Sequence, residues 1–321
     1  MYLLPKPKTI KEQDGQMLLC HSTHIVMTKE VAETEMHAAK RLQEAIRQET
    51  GLILPFSVGE VREGDLSLGI AKTLPEQTYE ITIDEKGGQI SGGDGAGVLY
   101  GVETFCQIVQ QCGGILPCVQ IQDAPDMPNR GYYFDQTRGR VLKLEELKKI
   151  ADRMCRYKLN QLQLYVEHTY LFRDFSEMWR DQTPLTAEEI RELDSYCRER
   201  HIELVPSLAS FGHLCTLLST KTYGDLCEME DSWKEPFSFW NRMRYHTINV
   251  SDERSLPLIK KMIAEYMQLF SSNKFNICAD ETFCLGKYKS KKLAEERGVH
   301  RLYIDYVKEL AQFLVENGKI P

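Results

Sequence analysis

From Arg130 onward, short apolar runs alternate with amphipathic stretches, and this alternation leaves few folds open. Arg130–Asp135, Leu162/Leu164/Val166, Ile202–Ser207 and the run opening at Phe275 read as strands. Between the first two, Leu144, Leu147, Ile150, Ala151, Met154 and Tyr157 recur at helical spacing. Ile190, Leu193 and Cys197 do the same after a Thr186–Glu189 capping box, and so does the series from Leu258 to Phe270. Parallel neighbours need a long crossover, so strand and helix in this rhythm spell parallel βαβ units. Four units are expected, followed by a last helix carrying Tyr303, Tyr306, Val307, Leu310 and Leu314.

Residues 1–125 have a different texture and read as a small α+β domain. A helix is expected over 31–49, stopped by Gly51. Leu66–Ala71 and Tyr79–Ile83 alternate as half-buried strands, and Gly87-Gly88 turns the second into a hairpin with Gln89–Ser91. The glycine-rich run 91–97 lacks the ending of a phosphate loop and the spacing of a dinucleotide site, so it reads as tight turns into a helix starting near Val98. Asp123–Pro128, with two prolines, marks the linker. The domains expected are therefore 1–125 and 126–321.

Composition removes several functions. A net charge of −7, with no block of Lys and Arg, argues against a nucleic-acid partner. Nothing approaches 18 consecutive apolar residues, so no membrane-spanning helix is expected. Met1–Lys8 lacks the apolar core of a signal peptide, which gives a cytoplasmic expectation. Ten scattered cysteines without a Cys-x-x-Cys pair read as free thiols, and neither a metal nor another cofactor is called for.

The chemistry is expected where the fourth strand ends, on Asp280-Glu281. Carboxyl ends of parallel strands are where such folds place reacting groups. Glu281, with the longer side chain, suits the donation of a proton to a departing oxygen.

Arg130-Gly131 at the first strand, Phe211-Gly-His213 after the third and Cys278-Ala-Asp-Glu281 at the fourth resemble the glycoside hydrolase family 20 β-N-acetylhexosaminidases. The run Asp94–Phe105 is similar to the end of the small domain that precedes their barrel. The family usually has Gly-Gly where this chain has Cys278-Ala279. It often has a His…Asp-Asp pattern near the second strand, where this chain has Glu167-His168.

The resemblance implies an α/β fold: a small α+β domain, then a (β/α)8 TIM-type barrel that stops after about four βα units. It implies a retaining hydrolase releasing terminal N-acetylhexosamine (GlcNAc or GalNAc) from β-linked glycans. The sugar's own acetamide would attack, through an oxazolinium intermediate. Glu281 and Asp280 are then the catalytic pair, Glu281 as acid and Asp280 orienting the acetamide. Arg130, His213 and Glu167 are expected to bind substrate, and the partner is an N-acetylhexosamine-containing oligosaccharide. Asp135 and Arg138 are expected as a barrel-floor pair, and Trp179, Trp233 and Trp240 as sugar platforms or core. A non-catalytic carbohydrate-binding or scaffold domain of the same fold is the alternative. An open barrel edge would also invite self-association.

Overall fold

A computed structural model describes residues 1–236 and 238–321. The chain divides into two compact units. The first comprises Met1–Arg130 with Lys149–Asn160 and Cys197–Ile202, and the second the remainder of the chain. The spatial division thus departs from the linear one, since two pieces of the second half are counted with the first unit.

In the first unit, β1 (Thr9–Leu18), β2 (Ile25–Met27), β3 (Phe56–Val58), β4 (Leu66–Ile70), β5 (Tyr79–Asp84), β6 (Gly87–Gly92) and β7 (Ile115–Asp123) form one mixed sheet. Its order is β1-β7-β5-β6-β4-β2-β3. The expected hairpin forms, β5 and β6 pairing antiparallel, but it turns at Glu85-Lys86: Gly87 and Gly88 already belong to β6, opposite Asp84 and Ile83. The helix expected over 31–49 is two helices, α1 (Lys29–Thr34) and α2 (Met36–Thr50). Glu35 leaves the helical region between them (φ −121°), and its carboxylate meets His201 Nε2 at 2.8 Å. Gly51 ends α2 in the left-handed conformation, φ 78°.

The glycine-rich run serves packing. A Cβ on Gly93 would sit 1.9 Å from the Pro75 carbonyl oxygen, and one on Gly97 would sit 2.2 Å from that of Thr78. Backbone at that distance cannot make way, so only glycine lets α3 (Gly95–Cys112) start there. Asp94 caps α3 by accepting from the Gly97 N–H. The helix is buried almost throughout from Ala96 to Val109.

In the second unit β8 (Gly131–Asp135), β9 (Gln161–Val166) and β10 (Glu203–Leu208) run parallel in the order β10-β9-β8. The helix α4 (Leu144–Arg156) links the first two strands. The short α5 (Ser176–Trp179) and then α6 (Ala187–Arg198) link the next. The capping box forms as expected: Thr186 N–H reaches Glu189 Oε2, and Glu189 N–H reaches Thr186 Oγ1. After β10 come α7 (Cys215–Leu218), α8 (Phe239–Arg244) and α9 (Ser255–Met267). The chain finishes with α10 (Lys291–Arg297) and α11 (Val299–Glu316). This is the α/β architecture of a (β/α)8-type barrel begun with its first strands, each strand beside its sequence neighbour.

The fourth strand is much reduced. Asn276 forms a single parallel bridge with Ser207, its N–H reaching the Pro206 carbonyl. The Asn276 side chain then accepts the Cys278 N–H, and Cys278 turns left-handed at φ 40°. That local turn competes with the ladder and ends it before the carboxylates. Lys274 pairs in turn with Ile320, so the parallel succession continues outward. No helix among the described residues is long and apolar enough to cross a membrane, and all ten cysteines are free thiols.

Candidate active site

β8, β9 and β10 all end on the same side, because they are parallel, and the segments leaving them build the site. The β10 segment is fixed first. Phe211 is fully buried, stacked on Tyr303 and packed on Tyr306 of α11, whose hydroxyl donates to the Ser210 carbonyl. Ser210 Oγ donates to the Ile277 carbonyl, tying this segment to the fourth strand position. Gly212 then lies under the acidic dipeptide: a Cβ there would stand 2.5 Å from the Asp280 carbonyl oxygen.

His213 follows, its side chain only 3% exposed, with Nε2 3.2 Å from Glu281 Oε2 and 3.6 Å from Asp280 Oδ2. The three groups lie within 4.8 Å of one another. The carboxylates themselves are open, 65% and 42% exposed for Asp280 and Glu281. Hydrogen bonding to His213 draws the Asp280 carboxyl below its ordinary range, burial opposing and the charges of His213 and Arg138 adding to it. Asp280 is therefore a carboxylate. His213, Cys278 and Glu281 all hold positive φ, 58°, 40° and 49°. Each such residue costs about 1–3 kcal/mol, and strain of this kind gathers at functional sites.

Beneath the dipeptide is a small polar knot. Tyr133 Oη lies 3.1 Å from Ser207 Oγ, which is 2.9 Å from Cys278 Sγ. Burial pushes the Cys278 thiol up to about 11, so it remains a neutral thiol at this junction.

Glu167, just past β9, is 3% exposed. Its Oε1 accepts from Tyr165 Oη and its Oε2 from Arg242 Nη2 on α8, at 3.0 and 2.9 Å. Glu167, expected to bind substrate, is thus ion-paired with Arg242 in this structure. Tyr165 packs edge-on to the His213 ring, so Glu167 reaches the acidic pair through that ring. Asp135 and Arg138 do pair, at 2.6 Å, but at the carboxyl end of β8 rather than the floor of the barrel. Arg138 also stacks over Tyr165.

Arg130 is counted with the first unit, and four of its five N–H donors are used there. Nε reaches the Lys158 carbonyl, Nη1 those of Met127 and Pro128, and Nη2 the Tyr100 hydroxyl. Trp233 and Trp240 are 60% and 65% exposed, so neither is core. Trp179 donates Nε1–H to the Phe172 carbonyl.

Two supports of the candidate site were not legible beforehand. α8 is held to the segments around the site by Arg242–Glu167, Arg138–Met243 and the Cys284 thiol on the Arg244 carbonyl. Glu228 is wholly buried, and its Oε1 accepts from Ser290 Oγ, Ser290 N–H and Tyr288 N–H, bracing the loop after Glu281. Arginine in a polar helix and glutamate in a loop carry no sequence signal of such partners.

Comparison with known proteins places these features in a family. The description "Glycosyl hydrolase family 20, domain 2" matches residues 1–124, and "Glycosyl hydrolase family 20, catalytic domain" matches residues 127–321. A beta-hexosaminidase of Porphyromonas gingivalis is 24% identical over 99% of this chain and 44% of its own length. One from Vibrio furnissii is 26% identical over 87% of this chain and 48% of its own. The chain thus spans about half the length of these curated relatives. Among solved structures, a mutant Streptomyces plicatus beta-hexosaminidase in complex with product (GlcNAc) superposes with a TM-score of 0.82 at 20% identity. That match covers 99% of this chain and 64% of the other. A Flavobacterium johnsoniae chitobiase gives a TM-score of 0.81 at 19% identity, covering 99% and 51%. With both of its halves matched, the catalytic one across residues 127–321, the chain belongs to glycosyl hydrolase family 20.

Proposed function

We propose that the protein is a glycoside hydrolase that removes terminal β-linked N-acetylhexosamine with the substrate's acetamide as nucleophile. One observation carries the reading: two adjacent carboxylates at the carboxyl end of a parallel sheet share one buried histidine. Glu281 donates a proton to the departing glycosidic oxygen. Asp280, held as a carboxylate, accepts the acetamide N–H, aims its oxygen at the anomeric carbon and offsets the positive charge of the oxazolinium. Neighbouring side chains diverge, so one serves the leaving group and the other the acetamide. His213 fixes both. The beta-hexosaminidase relatives support the substrate class.

The exposure of Asp280 and Glu281 favours a second reading, a carbohydrate-binding domain without turnover. Assays with an aryl N-acetyl-β-glucosaminide and the matching aryl β-glucoside separate the two. Hydrolysis of the acetamido sugar alone is expected. Cleavage of both would point to an enzymic nucleophile, and cleavage of neither to the binding domain.

A further inference from the structure

We propose that the first unit carries a second site, unconnected with glycoside cleavage, which binds a small phosphomonoester. The place is a cavity of about 420 Å³ lined by α2, α3 and the later part of α4. Three carboxylates line it, and each is already held by a cation: Glu103 by Arg41, Asp152 by Arg200 at 2.8 Å and Glu44 by Arg47 at 2.7 Å. Two lining cations have no carboxylate of their own among the described residues. Lys40 makes no ion pair, and Arg156 spends Nη2 on the neutral Gln110 amide oxygen at 2.7 Å. The cavity wall is therefore left positive after its internal pairs are counted.

Two buried polar atoms on the same wall, Arg156 Nε and His37 Nε2, have no hydrogen-bond partner. A guanidinium N–H has only the donor role, so Arg156 Nε wants an acceptor. Burial, with Arg200 and Arg41 beside it, draws His37 down to about 4, so its ring is neutral and has one N–H to give. Donors from two helices, Lys40 and His37 on α2 and Arg156 on α4, suit a group with several acceptor oxygens and a double negative charge. A phosphomonoester fits that description better than a carboxylate, because it brings nearly two negative charges and three acceptor oxygens where a carboxylate brings one charge and two oxygens. The volume leaves room for an organic body beyond the phosphate, beside the amides of Gln48 and Gln110.

The test is calorimetric titration of the whole chain at low ionic strength with inorganic phosphate, glucose 6-phosphate, glucose and acetate. Binding of both phosphates, but neither glucose nor acetate, is expected. Equal affinity would mean that phosphate alone is recognised, and tighter glucose 6-phosphate would identify a sugar phosphate. Either Lys40→Gln or Arg156→Gln should weaken binding about tenfold, the usual scale for one charge-assisted contact. Lys40 is exposed, so its substitution leaves folding alone. Absence of heat with both phosphates, acetate binding as tightly, or unchanged affinity in both variants would overturn the site. None of these readouts depends on hydrolysis.

Discussion

His213 Nε2 stands 3.2 Å from Glu281 Oε2, and the same nitrogen is within 3.6 Å of Asp280. A single buried imidazole therefore sets the positions of both carboxylates and the ionisation of one.

The first prediction follows from Asp280. Its carboxyl lies below the ordinary range chiefly because His213 bonds to it. A depressed group stays ionised until pH falls through its folded-state value, so the acid limb of kcat/KM should lie below about 3.9, the unperturbed aspartate value. The matching contribution to stability is present above the unfolded value and fades as pH falls through the folded one. It should be small, because the group is mostly exposed. In His213→Gln the limb should move up toward the ordinary value. A limb that does not move on this change would assign it to another group.

Glu281→Gln should lower kcat by roughly 10²–10⁴, the range for losing a general acid. Aryl glycosides with strongly acidic leaving groups need less protonation and should lose least. A loss independent of leaving-group pKa would remove Glu281 from the acid role.

The βα rhythm was legible from Arg130 onward because β9 and β10 bury their apolar positions, Leu162, Leu164, Leu204 and Val205 among them, while β8 shows itself as an aromatic run even though Gly131–Tyr133 are exposed. β1, β2, β3 and β7 are not among the strands the sequence predicts. Most of Thr9–Leu18 is exposed at a sheet edge, where pairing rests on backbone and leaves no apolar alternation. The break at Glu35 was equally hidden, since glutamate is a good helix former and its partner His201 is distant in sequence. At the candidate site, motif and position single out Asp280, Glu281 and His213, and the fold brings these three side chains together. Arg130 and Glu167 carry side chains that serve sugar binding or structural pairing equally well, so their partners here, Tyr100 and Arg242, carry no sequence signal.

Gly212→Ala tests whether the dipeptide's backbone position matters. The new Cβ would meet the Asp280 carbonyl oxygen at 2.5 Å and that of Glu281 at 3.1 Å. Neither is a flexible side chain, so the Asp280–Glu281 backbone must shift. Overpacking of this kind costs about 1–3 kcal/mol, and a shift of even 1 Å at reacting groups costs about 10²-fold in rate. Thermal melts and kcat/KM on one aryl glycoside measure the two effects. Wild-type values for both would mean that the segments separate at no cost.

Glu228 gives the last prediction. Its Oε1 gathers three donors, at 2.7, 3.0 and 3.3 Å, from Ser290 and Tyr288 at the far end of the loop that begins at Glu281. Glu228→Ala leaves the two Ser290 donors buried without an acceptor. Each orphaned group costs about 1–3 kcal/mol, so the melting temperature should fall. Glu228→Gln keeps an acceptor oxygen for the same three donors, so it should restore the loop. Loss of the brace frees the segment carrying the acid, so kcat should drop at least about tenfold in the alanine variant, the scale of a 1.4 kcal/mol change in barrier. Measured well below the alanine variant's melting temperature, equal kcat for the two variants would show that Glu228 supports the fold and leaves Glu281 where it was.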